Sequence, residues 1–212
     1  MNGRARLLEL QAACRSCHVC VDEGIIPEAN PTFEGQWGAP FFLVGQAPGP
    51  VERESRRPFS GRAGKELDRW MLRAGFDSSA EFRRLTYIAA LMRCFPGRNP
   101  TGAGDLKPPP PAVANCSRWL DTELRMLKPR VLILVGQLAI ARFLGPGPLE
   151  ERVGHAFGEW PVMVPLPHPS GQSRWLNDQA NRDRLETALA LLAQLRLRLA
   201  SAPRSRSNST GG

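Results

Sequence analysis

The sequence predicts an α/β protein: three layers, α/β/α, around a central, mostly parallel four-stranded sheet. Three observations predict it. Short apolar runs bounded by turn residues look like strands buried on both faces. Segments of helical periodicity alternate with them. The chemically suggestive loops follow the strand candidates, at the carboxyl ends where open α/β sheets place their ligands.

Residues 4–13 read as a short helix leading into a group of cysteines. Residues 22–40 are punctuated by Gly, Pro, Asn and Asp and read as loop. Phe41-Phe42-Leu43-Val44, between Pro40 and Gly45, is the first strand. Residues 63–75 form a helix, with Ala63, Leu67, Trp70, Met71 and Ala74 on one face and Gly75 at the stop. Leu85 to Met92 is the second strand. Residues 95–111, rich in Gly and Pro, form a long irregular loop, and loops of that length in compact domains are usually functional. A helix over 112–128 presents Val113, Cys116, Leu120, Leu124 and Leu127. Val131 to Val135 is the third strand, 137–144 a helix, and Val162 to Leu166 the fourth strand. The last helix, 181–200, aligns Leu185, Leu189, Leu192, Leu195 and Leu199.

One domain over 1–200 fits the length, with a Ser-, Arg-, Asn- and Gly-rich tail at 201–212 expected to be disordered. At 42% hydrophobic the 212 residues can bury a core, which excludes fibrous and disordered classes. No run approaches the roughly 20 apolar residues of a membrane span, and the N-terminus lacks the apolar stretch of a signal peptide. The expectation is a cytoplasmic monomer without a membrane partner. The net charge of +8 and the pI near 10.1 suit a phosphate polymer, although a basic composition alone also fits genome bias. Only Lys65, Lys107 and Lys128 are lysines, so the charge rests on arginine, which can fork onto phosphate.

There are five cysteines: Cys14, Cys17, Cys20, Cys94 and Cys116. In a reducing compartment disulfides are not expected. The odd count and the Cys14-x-x-Cys17 spacing point to a metal or cluster, with zinc and iron–sulfur both open.

Three loops carry chemistry. Gly45-Gln46-Ala47-Pro48-Gly49 leaves a strand with two glycines, so its backbone can approach a ligand; no Gly-Lys-Ser/Thr follows, so it is not a P-loop. Arg57-Pro58-Phe59-Ser60-Gly61-Arg62-Ala63-Gly64 sets an aromatic among arginines, suited to stacking on a base while Arg57 and Arg62 meet phosphates, or else to a core Phe in a basic loop. Pro167-His168-Pro169-Ser170-Gly171 holds a histidine in a rigid turn, a candidate donor to developing negative charge. Arg174, Trp175 and Leu176 follow, and the two apolar residues are either a wedge for a base stack or plain core. Of the three histidines, His18 and His155 read as structural.

Together and in this order, these segments resemble the uracil-DNA glycosylase superfamily, most closely its iron–sulfur family 4, with family 5 a near relative. The family pattern is a cysteine pair, a Gly-Glu-Ala/Gly-Pro-Gly loop, Gly-Arg-Pro-Phe-Val-Gly-Arg-Ala-Gly, Lys-Cys-Arg-Pro-Pro, a later helical cysteine and His-Pro-Ala/Ser. Here these read as Cys14/Cys17, Gly45 to Gly49, Arg57 to Gly64, Arg93-Cys94-Phe95-Pro96-Gly97, Cys116 and His168 to Ser170. The resemblance implies a [4Fe–4S] cluster on Cys14, Cys17, Cys94 and Cys116, with zinc the alternative. Cys20 stands where the family carries an apolar residue and is left out.

The resemblance also implies hydrolysis of the N-glycosidic bond of uracil or another deaminated base extruded from DNA, as in base-excision repair. His168 would stabilise the leaving base anion, and Gln46 would share the catalytic loop. Gly45, Ala47, Pro48, Gly49, Phe59 and Ala90 would bind the base. Arg57, Arg62, Ser170, Arg174, Trp175 and Leu176 would meet the DNA. Two positions depart from the family. Gln46 replaces the acid of the first loop, and Ala47 stands where family 1 enzymes hold a water-activating Asp, leaving Glu52 and Glu54 nearby but unassigned. Ala90 stands where an Asn usually reads the uracil edge, and a methyl cannot do so. These departures keep a second expectation open: a weak or inactive iron–sulfur protein that binds damaged or single-stranded DNA.

Overall fold

The computed structural model describes residues 2–102, 104–170 and 174–201. Four strands, β1 (Phe41–Gly45), β2 (Thr86–Ala90), β3 (Val131–Val135) and β4 (Val162–Leu166), form one sheet in the order β2-β1-β3-β4. Every pairing is parallel, which sharpens the expected mostly parallel sheet. Parallel strands need crossovers, and the helices supply them. Helices α1 (Gly3–Arg15) and α2 (Val19–Asp22) precede the sheet, and α3 (Pro50–Ser55), α4 (Arg62–Arg73) and α5 (Ser79–Leu85) link β1 to β2. Then α6 (Pro110–Leu127) joins β2 to β3, α7 (Gln137–Leu144) joins β3 to β4, and α8 (Gln179–Ser201) closes the chain.

Alternation along β1 explains the three layers. Phe41 and Leu43 face one core with Leu67, Trp70 and Met71 of α4 and Leu185, Leu189 and Leu192 of α8. Phe42 and Val44 face the other, with Leu7 of α1, Leu120 of α6 and Ile140 of α7. The strands are mostly apolar because both faces of the sheet are covered.

Several boundaries differ from the sequence expectation. Helices α3 and α5 were not foreseen: each spans fewer than eight residues and is too polar for a period to show. Their caps carry the signal instead, since the Ser78 hydroxyl accepts from Glu81 N–H at 3.0 Å. The last helix extends through Ser201, so the tail does not begin there; residues 202–212 lie outside the described ones. Among the described residues no helix is long and apolar enough to cross a membrane.

The strand order has one functional consequence. From β1 the chain moves outward to β2, then returns past β1 to β3. The crossovers therefore diverge between β1 and β3, opening a crevice at their carboxyl ends, the usual ligand position in open α/β sheets. Gly45 ends β1 and Gly136 follows β3, so two glycines flank that crevice.

Candidate active site

The first loop leaves β1 tied to the neighbouring strand. Leu91 N–H donates to Gly45 C=O at 3.0 Å and Met92 N–H to Gln46 C=O at 3.1 Å. Gly45 sits opposite Ala90 in the register, so the two predicted base-binding positions are neighbours. The need for glycine at 45 is steric: a Cβ there would lie 3.2 Å from Cζ of Phe59. The Phe59 ring thus lies over Gly45, joining two segments that are separate in sequence.

Phe59 holds a left-handed backbone, φ 51°, which is unusual for an aromatic residue. What imposes it is visible. Arg83 of α5 donates Nη1–H to the Pro58 carbonyl at 3.1 Å and Nη2–H to the Phe59 carbonyl at 2.9 Å. Its Nη1 also meets Glu34 Oε1 at 2.9 Å. Gly64 completes the clamp, since a Cβ at that position would collide with the Phe59 carbonyl. Sequence reading found Phe59 but missed Arg83 and Glu34, which lie far from it in the chain.

Glu52, unassigned from sequence, is buried in α3 and joins the loops. Its Oε2 accepts from Gly49 N–H at 3.1 Å and its Oε1 from Gly61 N–H at 2.8 Å. The first and second loops are therefore held by one carboxylate. Gln46, Ala47 and Gly49 are half-buried and Pro48 is buried.

His168 follows β4 and is half-buried, with Cδ2 3.4 Å from where a Cβ on Gly136 would stand. Gly136 has φ 87°, so it serves both the turn and the approach of the ring. Ser170 N–H donates to His168 Nδ1 at 3.2 Å. An accepting Nδ1 places the neutral ring's proton on Nε2. Burial holds the imidazole below its ordinary range, against the opposing pull of Glu52, so the neutral tautomer is favoured. The loops thus bring an Nε2–H donor beside Gly136 and an aromatic ring beside Gly45, at the ends of neighbouring strands. Ser170 serves through its backbone.

The predicted DNA-contacting residues divide. Arg62, at the start of α4, and Arg174, after the His168 loop, are exposed. Arg57 is exposed but pairs with Glu34 at 3.4 Å. Trp175 and Leu176 lie in a short 3-10 turn, Arg174–Asn177, and pack against the α4–α8 core. The Trp175 indole N–H also donates to Glu150 at 2.6 Å, so both apolar side chains have partners inside the fold.

Behind the first loop, all five cysteines line one cavity with Ile26, Arg93 and Trp119. Cys94, Cys116 and Cys20 pack with Met92, and Ala47 of the first loop covers this group. Among the described residues no three His, Cys, Asp or Glu side chains gather as a single-ion site. The cavity places the thiols around a space instead. Burial pushes the Cys14 thiol up to about 12, Arg93 opposing, and the Cys94 thiol up to about 12, with the Asn30 N–H opposing. Thiols of that kind ionise at neutral pH when a metal displaces their protons.

Arg93 tests whether a metal group fits. Its guanidinium is fully buried and pairs with the equally buried Glu123 of α6. Its Nε and Nη1 have no hydrogen-bond partner. Its charge is met by Glu123, but two buried N–H groups of a side chain lining the thiol-lined cavity remain open to an acceptor. A group carrying four cysteine thiolates would supply one. Glu123 further accepts from the Tyr87 hydroxyl at 2.8 Å, which explains a carboxylate at a core position of α6. Sequence periodicity had given that face to apolar residues alone.

An all-parallel sheet in the order β2-β1-β3-β4, with Phe59 beside Gly45 and His168 beside Gly136 at the carboxyl ends of adjacent strands, defines an open α/β protein whose loops meet at the β1–β3 switch point. The uracil DNA glycosylase superfamily matches residues 33–193, so the chain belongs to that superfamily. Among its relatives is the "Type-4 uracil-DNA glycosylase" of Thermotoga maritima, 30% identical over 111 residues, 52% of each chain. The enzyme of the same name from Pyrobaculum aerophilum is 29% identical over 154 residues, 72% of each. A "Type-5 uracil-DNA glycosylase" of Pyrobaculum aerophilum is 30% identical over 113 residues, 51% of this chain and 45% of the relative. The match to the Thermotoga relative thus spans about half of that protein's length.

Proposed function

We propose that this protein is a monofunctional DNA glycosylase that hydrolyses the N-glycosidic bond of uracil or another deaminated base. The observation that carries the reading is His168: a neutral imidazole with Nδ1 engaged by Ser170 N–H and Nε2–H left as the donor. As the bond breaks, negative charge grows on the base, and such a donor stabilises it. Phe59, clamped over Gly45, receives the extruded base on its face. Gln46, Ala47, Pro48, Gly49 and Ala90 complete the wall around it. Arg57, Arg62 and Arg174 meet phosphates, with Ser170, Trp175 and Leu176 flanking the gap.

Cys14, Cys17, Cys94 and Cys116 would hold a [4Fe–4S] cluster, a reading supported by the thiols lining one cavity and by the open N–H groups of Arg93. Ligands from the N-terminal segment, the chain after β2 and α6 would thereby be cross-linked. Through Ala47 and Met92 that cross-link stiffens the first loop. The chain acts as a cytoplasmic monomer.

The test is excision from oligonucleotides carrying uracil, hypoxanthine, xanthine or a thymine mismatch, followed by alkaline cleavage of abasic sites. The expected result is strand breaks at one or more lesions, lost in His168→Ala. Tight, salt-sensitive binding with no breaks on any lesion would support a DNA-binding role without hydrolysis.

A further inference from the structure

The first loop carries no acid: Gln46 and Ala47 occupy the positions where an acid would sit. Two carboxylates reach the loop from elsewhere. Glu52 is committed, because each of its oxygens accepts a backbone N–H. The other is Asp105, from the long loop between β2 and α6. Its Oδ2 lies 3.5 Å from where a Cβ on Gly49 would stand. Among the described residues no donor hydrogen-bonds to this carboxylate, and it is exposed, so water reaches it.

Backbone contacts join the two described sides of that loop, residues 97–102 and 104–106. Leu106 N–H donates to Gly97 C=O at 2.9 Å and Asn99 N–H to Gly104 C=O at 3.0 Å, while Arg98 and Asp105 form a bridge. Glycines at φ 110°, 78° and 82° (Gly97, Gly102 and Gly104) permit the tight excursion. The loop therefore projects its one carboxylate back over Gly49.

We propose that Asp105 is a catalytic carboxylate of this chain, accepting the proton of the water that attacks the sugar. The proposal rests on the glycosylase reading above. In the step, the C1′–N bond breaks and its electron pair leaves with the base, which His168 Nε2–H holds. The water oxygen bonds to C1′, and its released proton passes to Asp105 and then to solvent. The base anion takes a proton from solvent. The charged groups facing Asp105 are Glu52 of α3 and Arg98 of its own loop. Burial raises its proton affinity, Arg98 opposes and Glu52 adds to it. A carboxylate of raised proton affinity, with no hydrogen-bond donor among the described residues, suits a general base.

The experiment is a single-turnover pH–rate profile on the lesion that the wild type excises, with Asp105→Asn, Asp105→Glu and, as control, Glu54→Gln, an exposed α3 residue. Asp105→Asn should slow excision by about 100-fold with DNA affinity and thermal melting unchanged. It should also remove an acidic limb from the profile. Asp105→Glu should restore part of the rate, and Glu54→Gln should match the wild type. Asp105→Asn within twofold of wild type, or slowed with its acidic limb intact, overturns the proposal while the glycosylase reading stands. A wild type that releases no base from any lesion overturns both.

Discussion

His168 carries the proposed chemistry. Its tautomer is set by Ser170 N–H and its neutrality by burial. Removing the donor should lower the excision rate by about 10²–10³-fold, as for other preorganised donors to a developing anion. The same shift links to stability. Folding lowers the imidazole pKa, so the unfolded chain binds this proton more readily. The contribution is full above about 6.5 and is lost as pH falls through the folded value. Denaturant midpoints across pH should therefore decline on the acid side, and less steeply in His168→Ala; equal slopes would refute the linkage. The cysteines make a second test at this scale. Iron content should collapse in Cys14→Ser and Cys94→Ser but persist in Cys20→Ser. Loss of iron in Cys20→Ser would make that thiol a ligand. His168, Phe59 and the Cys14–Cys17 pair were legible because each stands in a local motif. Asp105, Glu52 and Arg93 were not, because only the fold brings them to a site.

At the scale of elements, the working parts are loops held by distant secondary structure. Helix α5 clamps the Phe59 loop through Arg83, α3 joins two loops through Glu52, and β2 anchors the first loop by its backbone. Arg83→Met should free the Pro58 and Phe59 carbonyls and let the ring leave Gly45. Excision should then fall about as far as in Phe59→Ala, where lost stacking removes ~1–3 kcal/mol. Unchanged activity in Arg83→Met would show that the clamp is not needed. Strands β1, β3 and β4 were readable because they are short, apolar and bounded on at least one side by Gly or Pro, while β2, with Thr86 and Tyr87 and no such boundary, was read too long. Helices α3 and α5 were not, since both are short and mostly polar, and their positions are set by the loops they hold.

Across the whole molecule, one buried network ties the halves together. Arg93 at the β2 end pairs with Glu123 of α6, which also takes the Tyr87 hydroxyl; Gln11 of α1 reaches that hydroxyl at 3.4 Å. Glu123→Ala would strand a buried cation, so unfolding free energy should fall by ~3–5 kcal/mol. A loss below about 1 kcal/mol would show that Arg93 finds another partner. Topology was largely readable, because alternating strand and helix patterns admit few arrangements. The strand order that puts Gly45 beside Gly136 came only from the structure. That juxtaposition is the centre of the proposed function, in which a base would lie on Phe59 between the first loop and His168. The most direct measurement is single-turnover release of uracil, or the best-excised lesion, from one labelled oligonucleotide by wild type and His168→Ala. The account predicts excision by the wild type and a loss of at least about 100-fold in the variant, with DNA binding retained. Equal rates in the two proteins, or no release by either, would contradict it.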